Sequence, residues 1–400
     1  SLRGMNGDEA VAYAVKQVNP EVVSAYPITP QTIIVERFSE YVADGEVDTE
    51  FILVESEHSA LSSCIGAAAG GARTFTATAA NGLALMWETV YIASALRMPI
   101  IMAVANRALS GPINIHCDHS DSMGAKDSGW IQIYCENSQE VYDACIESWR
   151  IAEHPDIQLP VMICLDGFTL SHTMENVLTL EDNVVKEFVG ERGFIDVKTH
   201  LGEAELRLDP VNPLTMGPAS LMDYYFEHKL QQIDALDAAL KVISEVDEEY
   251  YQYSGRRYGL IEPYRLEDAE VALIGLGSTM GTVRHVVDDL RASGMKVGLI
   301  KMRVFRPFPV EDLIIAVGDI PVIGVLDKST CPGAPGGPLC ENLKTIFYDK
   351  DVRPRIVNYV HGIGGRDTSP MMVEEILKEL MKVHDGGFIP KPVNFIGVRR

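Results

Sequence analysis

The stretch Tyr26-Pro27-Ile28-Thr29-Pro30 follows a short apolar run and sets one hydroxyl-bearing residue between two prolines. Pro27 fixes its own φ and biases Tyr26 toward an extended conformation, and Pro30 does the same to Thr29. The Thr29 hydroxyl is therefore aimed with few alternatives, a hydrogen-bond donor ordered before any reaction begins. Two carboxylates, Glu55 and Glu57, end the apolar run Phe51-Ile-Leu-Val54. Alternation along a strand puts both side chains on one face. Arg107 follows a second apolar run, Pro99 to Val104, and its guanidinium is a planar fork that matches a carboxylate bidentately.

Other motifs carry less. Gly275-Leu-Gly277-Ser-Thr-Met-Gly281 follows a strand-like run and opens a helical one, but its spacing is G-x-G-x-x-x-G. No acidic residue ends a second strand there, where the chain reads Lys296-Val-Gly-Leu-Ile-Lys-Met-Arg303. It reads as a structural strand–helix turn; a nucleotide-binding regulatory α/β protein is the alternative of a different class. Asp118-His119-Ser120-Asp121, with His116 close by, reads as a hydrogen-bonded turn, and no metal site is assigned. The seven cysteines are an odd number and include no C-x-x-C, which suits reduced, mostly buried thiols rather than a disulfide framework.

Elements must hold these groups. Phe51–Val54, Pro99–Val104 and Pro160–Leu165 are short apolar runs between helical patterns, the signature of strands buried on both faces in a parallel, doubly wound α/β sheet. The same grammar restarts at Val271–Leu276 and continues through Lys296–Ile300, Pro321–Leu326 and Arg355–Val360. The expected organisation is two α/β domains, residues 1–175 and 266–400. Residues 176–265 are read as a connector with a long helix from about Ser220 to Tyr251. A chain of 400 residues exceeds what one core usually organises, in agreement with two domains. With 34 basic and 57 acidic residues the net charge is −23, which repels nucleic acid. No run of eighteen apolar residues and no secretory pattern is present, so a cytoplasmic protein without a membrane partner is expected.

Tyr26-Pro-Ile-Thr-Pro30 closely resembles the signature of the 2-oxoacid:ferredoxin oxidoreductases. Glu55-Ser-Glu57 before Ala67-Ala-Ala-Gly-Gly71, then Thr74-Phe-Thr-Ala-Thr-Ala-Ala-Asn-Gly-Leu83, agree in order and spacing. Asn106-Arg107-Ala-Leu-Ser-Gly-Pro-Ile-Asn114, running on to Asp121, is similar to the loop of the pyruvate branch. Arg306-Pro-Phe-Pro309, Asp327-Lys328-Ser329, Gly336-Gly-Pro-Leu339 and Gly362-Ile-Gly-Gly-Arg-Asp367 extend the likeness over essentially the whole chain. Among these enzymes the chain looks most like an alpha subunit of pyruvate:ferredoxin oxidoreductase.

The resemblance implies a pyrimidine-type thiamine diphosphate-binding fold followed by a transketolase C-terminal-like domain. Glu57 is implied as the carboxyl that hydrogen-bonds the cofactor's pyrimidine ring, with Glu55 as the competing candidate. Thr29 is implied to hydrogen-bond the substrate, Arg107 to bind its carboxylate, and Tyr26, Pro27 and Asn81 to contact the cofactor. Asn81 stands where relatives often have Gln. A G-D-G motif followed by Asn is missing, Leu165-Asp166-Gly167 having no suitable Asn after it, and so is a cluster-binding cysteine run. Magnesium and the diphosphate half-site are therefore expected in a beta subunit, and 4Fe-4S clusters in a ferredoxin-like subunit, with a gamma subunit and external ferredoxin completing the system and coenzyme A as co-substrate. Thr29 argues against oxalate as substrate, since relatives acting on it have Arg there; 2-oxoglutarate and branched 2-oxoacids remain alternatives to pyruvate.

Overall fold

A computed structural model describes residues 1–199, 202–387 and 391–399. Two sheets dominate it. The first has seven strands, in spatial order Val304–Arg306, Ile131–Tyr134, Val161–Asp166, Ile100–Asn106, Thr74–Thr78, Val22–Ala25 and Glu50–Leu53. All are parallel except Val304–Arg306, which pairs antiparallel with Ile131–Tyr134. The second has six, in the order Ile261–Tyr264, Val297–Met302, Val271–Leu276, Val322–Asp327, Arg355–Val360 and Val393–Phe395. Only its edge strand Ile261–Tyr264 runs antiparallel. Continuous apolar runs produce this arrangement because a parallel sheet is covered on both faces, and every residue of Ile100–Asn106 and Val161–Asp166 is buried.

The fold class expected from the sequence, two doubly wound α/β units, is the one observed, but the units are not independent. One apolar cluster runs from Ile100, Met102 and Val104 of the first sheet through Tyr134 and Phe305 to Ile274, Ile300 and Val325 of the second. Tyr134 and Phe305 meet edge-to-face at 6.2 Å. The strand Val304–Arg306 follows directly on Val297–Met302 of the second sheet yet completes the edge of the first.

The helix expected over about 220 to 251 runs Tyr225–Ser254. Gln232, Ala235, Ala239, Val242, Ile243, Val246 and Tyr250 recur on one face at three- and four-residue intervals and are buried. That face joins the apolar core of the first sheet against the helix Ser138–Ala152, so this part of the connector adds to the first core.

Charges also cross between the units. Lys301 Nζ lies 2.8 Å from Glu140 and 3.1 Å from Glu136, and Arg303 pairs with Glu147 and Glu140 with only 1% of its side chain exposed. Burial pushes the Glu147 carboxyl up to about 8 although Arg303 opposes the shift. Removing one member of such a network leaves carboxylates without their partner, which typically costs about 3–5 kcal/mol. Arg303→Met is therefore expected to lower the urea midpoint by an amount corresponding to about 3–5 kcal/mol; an unchanged midpoint would show that the network contributes nothing net.

Candidate active site

Four loops leave the carboxyl edge of adjacent parallel strands of the first sheet. Tyr26–Thr29 follows Val22–Ala25, Glu57 follows Glu50–Leu53, Ala79–Gly82 follows Thr74–Thr78, and Arg107 follows Ile100–Asn106. Val22–Ala25 lies between Glu50–Leu53 and Thr74–Thr78, so the strand order reverses there. Ligands of open α/β sheets bind in the crevice at such a reversal. The sequence candidates Thr29, Glu57, Asn81 and Arg107 all lie on this edge.

Glu55 and Glu57 do not share a strand face. The strand ends at Leu53, and Ser56 caps the helix Glu57–Ala69 by accepting the Ser59 N–H at 3.3 Å. Alternation stops before the pair is reached, and helix geometry sets the two carboxyls apart. Glu55 is exposed and accepts a hydrogen bond from the Ser59 hydroxyl. Glu57 is 6% exposed, and its carboxyl makes no hydrogen bond or ion pair with any described residue. Its carboxyl lies against Gly82, where an added Cβ would fall 2.8 Å from Glu57 Oε1 and closer still to Thr78 Oγ1. A buried carboxyl without a protein partner, in a cradle that only glycine leaves open, fits a ligand group that hydrogen-bonds to it.

Arg107 is buried at 7% exposure and forms no ion pair with any described carboxylate. Its Nη1 donates to the Thr29 carbonyl at 3.0 Å and its Nε to the Asn114 carbonyl at 2.9 Å. A buried cation held only by neutral oxygens is electrostatically unfinished, and an anionic ligand would complete it. Thr29 and Tyr26 are exposed at the same edge, and the Thr29–Pro30 peptide is cis. Gln31, fully buried, anchors their loop by donating to the Ala77 carbonyl at 2.6 Å and the Tyr26 carbonyl at 3.2 Å. Asn81 uses its amide oxygen to accept the Ser110 N–H at 3.1 Å, tying the helix Ala80–Leu85 to the loop after Arg107.

Sequence reasoning passed over the residue that aligns these parts. Asp121 accepts the N–H of Ala80 at 3.0 Å, of Arg107 at 3.0 Å and of Ser122 at 2.7 Å, and the Asn106 amide at 2.8 Å. Burial raises its pKa, and those donors oppose the rise. The turn Asp118–Asp121 is hydrogen-bonded, as its composition suggests: Asp118 Oδ1 accepts the Ser120 N–H and hydroxyl.

Behind this loop the two units meet at Asp166. Its carboxylate accepts from Lys328 Nζ at 2.8 Å and from the Ser278 hydroxyl at 2.5 Å, and His119 Nε2 lies 2.7 Å away. Burial opposes the charge, but Lys328 and His119 outweigh it and hold Asp166 well below the usual carboxylate range. Cys117, His119 and Asp166 bring a thiol, an imidazole and a carboxylate within 4.8 Å, yet the Lys328 ammonium is already the cation on Asp166. Ser278 is the N-cap of the helix Thr279–Ala292, and its N–H also points at Asp166, at 3.3 Å. The G-x-G-x-x-x-G turn thus presents its N–H and hydroxyl to a carboxylate of the same chain, which supports the structural reading of that motif over nucleotide binding. Nothing local in the sequence linked Asp166, Ser278 and Lys328, since the separations are 112 and 162 residues.

Comparison with known proteins agrees with this geometry. A family profile described as pyruvate flavodoxin/ferredoxin oxidoreductase, thiamine diphosphate-binding, matches residues 13–248, and one described as pyruvate:ferredoxin oxidoreductase core domain II matches residues 269–373. The chain is 51% identical to the pyruvate synthase subunit PorA of Thermotoga maritima over 395 residues, covering 99% of this chain and 97% of the relative. It is 47% identical to the subunit of that name in Methanocaldococcus jannaschii over 386 residues, 96% of each chain. It is 40% identical over 397 residues to the ketoisovalerate oxidoreductase subunit VorA of Pyrococcus horikoshii, 99% of this chain and 98% of the relative. Among solved structures, a 2-oxoglutarate:ferredoxin oxidoreductase from Magnetococcus marinus superposes with a TM-score of 0.73 at 20% identity, spanning 95% of this chain and 65% of that one. That likeness and a weaker one to a split-gene transketolase, TM-score 0.54 at 12% identity over 96% of this chain and all of the other, show the shared fold.

Because its folded pKa is depressed, Asp166 contributes stability that is present above its ordinary value of 3.8 and lost as pH falls through the lower folded value. Asp166→Asn should lower the thermal midpoint at pH 7 and show a smaller further loss on acidification below pH ~4 than the wild-type chain. Parallel pH profiles for the two proteins would contradict this.

Proposed function

We propose, from the premise that this chain belongs to the pyruvate:ferredoxin oxidoreductase family, that it is the alpha subunit of a multi-subunit pyruvate synthase. The reaction is the reversible, coenzyme A-dependent oxidative decarboxylation of pyruvate to acetyl-CoA and carbon dioxide, with electrons passed to ferredoxin. The observation that carries the active-site assignment is Arg107, a buried guanidinium with no carboxylate partner among the described residues, oriented from the loop that bears Thr29.

Thiamine diphosphate, when bound, would supply the carbon nucleophile needed for chemistry at a 2-oxo group. Glu57, 6% exposed, would share a proton with the pyrimidine ring. Thr29, ordered between its prolines, donates its hydroxyl to the substrate. Arg107 pairs with the substrate carboxylate, and loss of that group as carbon dioxide removes the charge that held it. Tyr26 and Pro27 would contact the cofactor, and Asn81, whose oxygen holds the Ser110 N–H, would offer it its amide N–H groups.

Leu53, Leu85, Trp87, Ile92, Leu109 and Ile113 are exposed on elements around this edge. An apolar rim of this kind suits a partner chain. The beta subunit is assigned to it, with the diphosphate-binding half-site and magnesium. The 4Fe-4S clusters are assigned to a ferredoxin-like subunit, beside a gamma subunit and external ferredoxin, so this chain alone is inactive. No described helix is long and apolar enough to cross a membrane, and a cytoplasmic location is proposed.

Coenzyme A-dependent viologen reduction by the native complex, measured across pyruvate, 2-oxoglutarate and branched 2-oxoacids, tests the assignment; a preference for a branched 2-oxoacid would shift it toward the ketoisovalerate relatives. Glu57→Gln should lower turnover at least about 100-fold, the scale of a positioned acid–base group, while Glu55→Gln changes it little. The reverse outcome would move the role to Glu55. Arg107→Ala should lose turnover on pyruvate at fixed low substrate while the thiamine content of the complex stays unchanged.

A further inference from the structure

The second unit touches the substrate-side loop at the turn Gly362-Ile363-Gly364-Gly365, as well as at His119, whose N–H donates to the Lys328 carbonyl at 2.8 Å. Gly364 has φ 62 and ψ 26, the left-handed region that favours glycine. Both of its backbone polar groups are spent on the loop that follows Arg107. Its carbonyl accepts from Asn114 Nδ2 at 2.9 Å, and its N–H donates to Asp118 Oδ2 at 3.1 Å. The approach is close: a Cβ on Gly364 would fall 2.5 Å from Asn114 Nδ2, and one on Gly365, at φ 80, would overlap His116 Cβ.

Asn114 is where this turn meets Arg107. Its side chain bridges two places, donating to Gly364 and accepting the His116 N–H at 2.8 Å. Its own carbonyl accepts Arg107 Nε at 2.9 Å. The other anchor of the guanidinium is the Thr29 carbonyl, from the loop after Val22–Ala25. The direction of the guanidinium fork is therefore set by two carbonyls of the first unit, and the position of the one on Asn114 depends on a backbone 250 residues away in sequence.

We infer that the Gly362–Gly365 turn, acting through Asn114, positions Arg107 for the substrate carboxylate and so gives the second unit a part in substrate recognition, a role that presupposes Arg107 as the carboxylate-binding residue proposed above. Asn114 is a positioning residue: it touches Arg107 and the turn, and aims the fork. Bidentate pairing depends on the plane and direction of the guanidinium, so loss of one anchor weakens substrate binding more than it slows the chemical step.

The assembled enzyme tests this with Arg107→Ala, Asn114→Ala, their double variant and Gly364→Ala, reading KM for pyruvate, kcat and thiamine content for each. Asn114→Ala and Gly364→Ala should raise KM on the order of 10-fold, with kcat changed much less and thiamine content unchanged. In the double variant the effect of Asn114→Ala should vanish, because a residue that acts through Arg107 has nothing left to aim. If Arg107→Ala raises KM but Asn114→Ala leaves it at the wild-type value, or if the two effects add, the inference is wrong while the role of Arg107 stands. If Arg107→Ala leaves KM unaltered, the carboxylate role itself fails and takes the inference with it. Should Gly364→Ala not assemble, the Asn114 and Arg107 cycle decides alone.

Discussion

Asp121 gathers four hydrogen bonds inside the first unit, from the N–H groups of Ala80, Arg107 and Ser122 and from the Asn106 amide. Ala80 begins the turn whose Gly82 makes room for Glu57, and Arg107 carries the cation facing the same edge. A single carboxylate thus fixes the spacing between Glu57 and Arg107, the residues proposed as acid–base group and as carboxylate-binding group. Buried carboxylates are costly unless their lone pairs are occupied, and here backbone and amide donors fill them. The cost of burial is offset only in this arrangement, so the geometry of the edge is specified as well as stabilised.

A second layer of constraint comes from the union of the two sheets. Apolar side chains from both form one continuous cluster, and the Lys301 and Arg303 pairs, with Asp166 on Lys328, cross the same boundary. Charges placed in this way fix register where apolar packing alone tolerates sliding. The small-residue turn at Gly362–Gly365 needs that register, because its contacts with Asn114 and Asp118 leave no slack for a shifted backbone.

Much of this was legible in the chain. Strands buried on both faces announce themselves as unbroken apolar runs, and Ile100–Asn106, Val161–Asp166 and Val271–Leu276 lie where such runs stand, whereas the run Phe51–Val54 falls on the first sheet's edge strand Glu50–Leu53, where Leu53 is exposed. The prolines around Thr29 and the position of Arg107 after a strand pointed to residues that share one carboxyl edge of the first sheet. Local pattern failed where the decisive fact is a boundary or a distant contact. Glu55 and Glu57 look equivalent as alternating strand residues until Ser56 is seen to cap a helix between them. Asp121 looked like one acid in a crowded turn, since nothing within a few residues says that Ala80 and Asn106 will meet it. Asp166 carried no signal at all beyond a failed match to a diphosphate motif, because its partners come from the other sheet.

The three-residue strand Val304–Arg306 completes an edge built some 170 residues earlier in the chain, pairing with Ile133 and Gln132. On a ribosome the first sheet therefore emerges with its Ile131–Tyr134 side bare, and an uncovered edge is a template for pairing with other chains. Maturation of the amino-terminal half waits on translation of the carboxy-terminal half, and a nascent chain released before Val304 would carry a sticky, unfinished border.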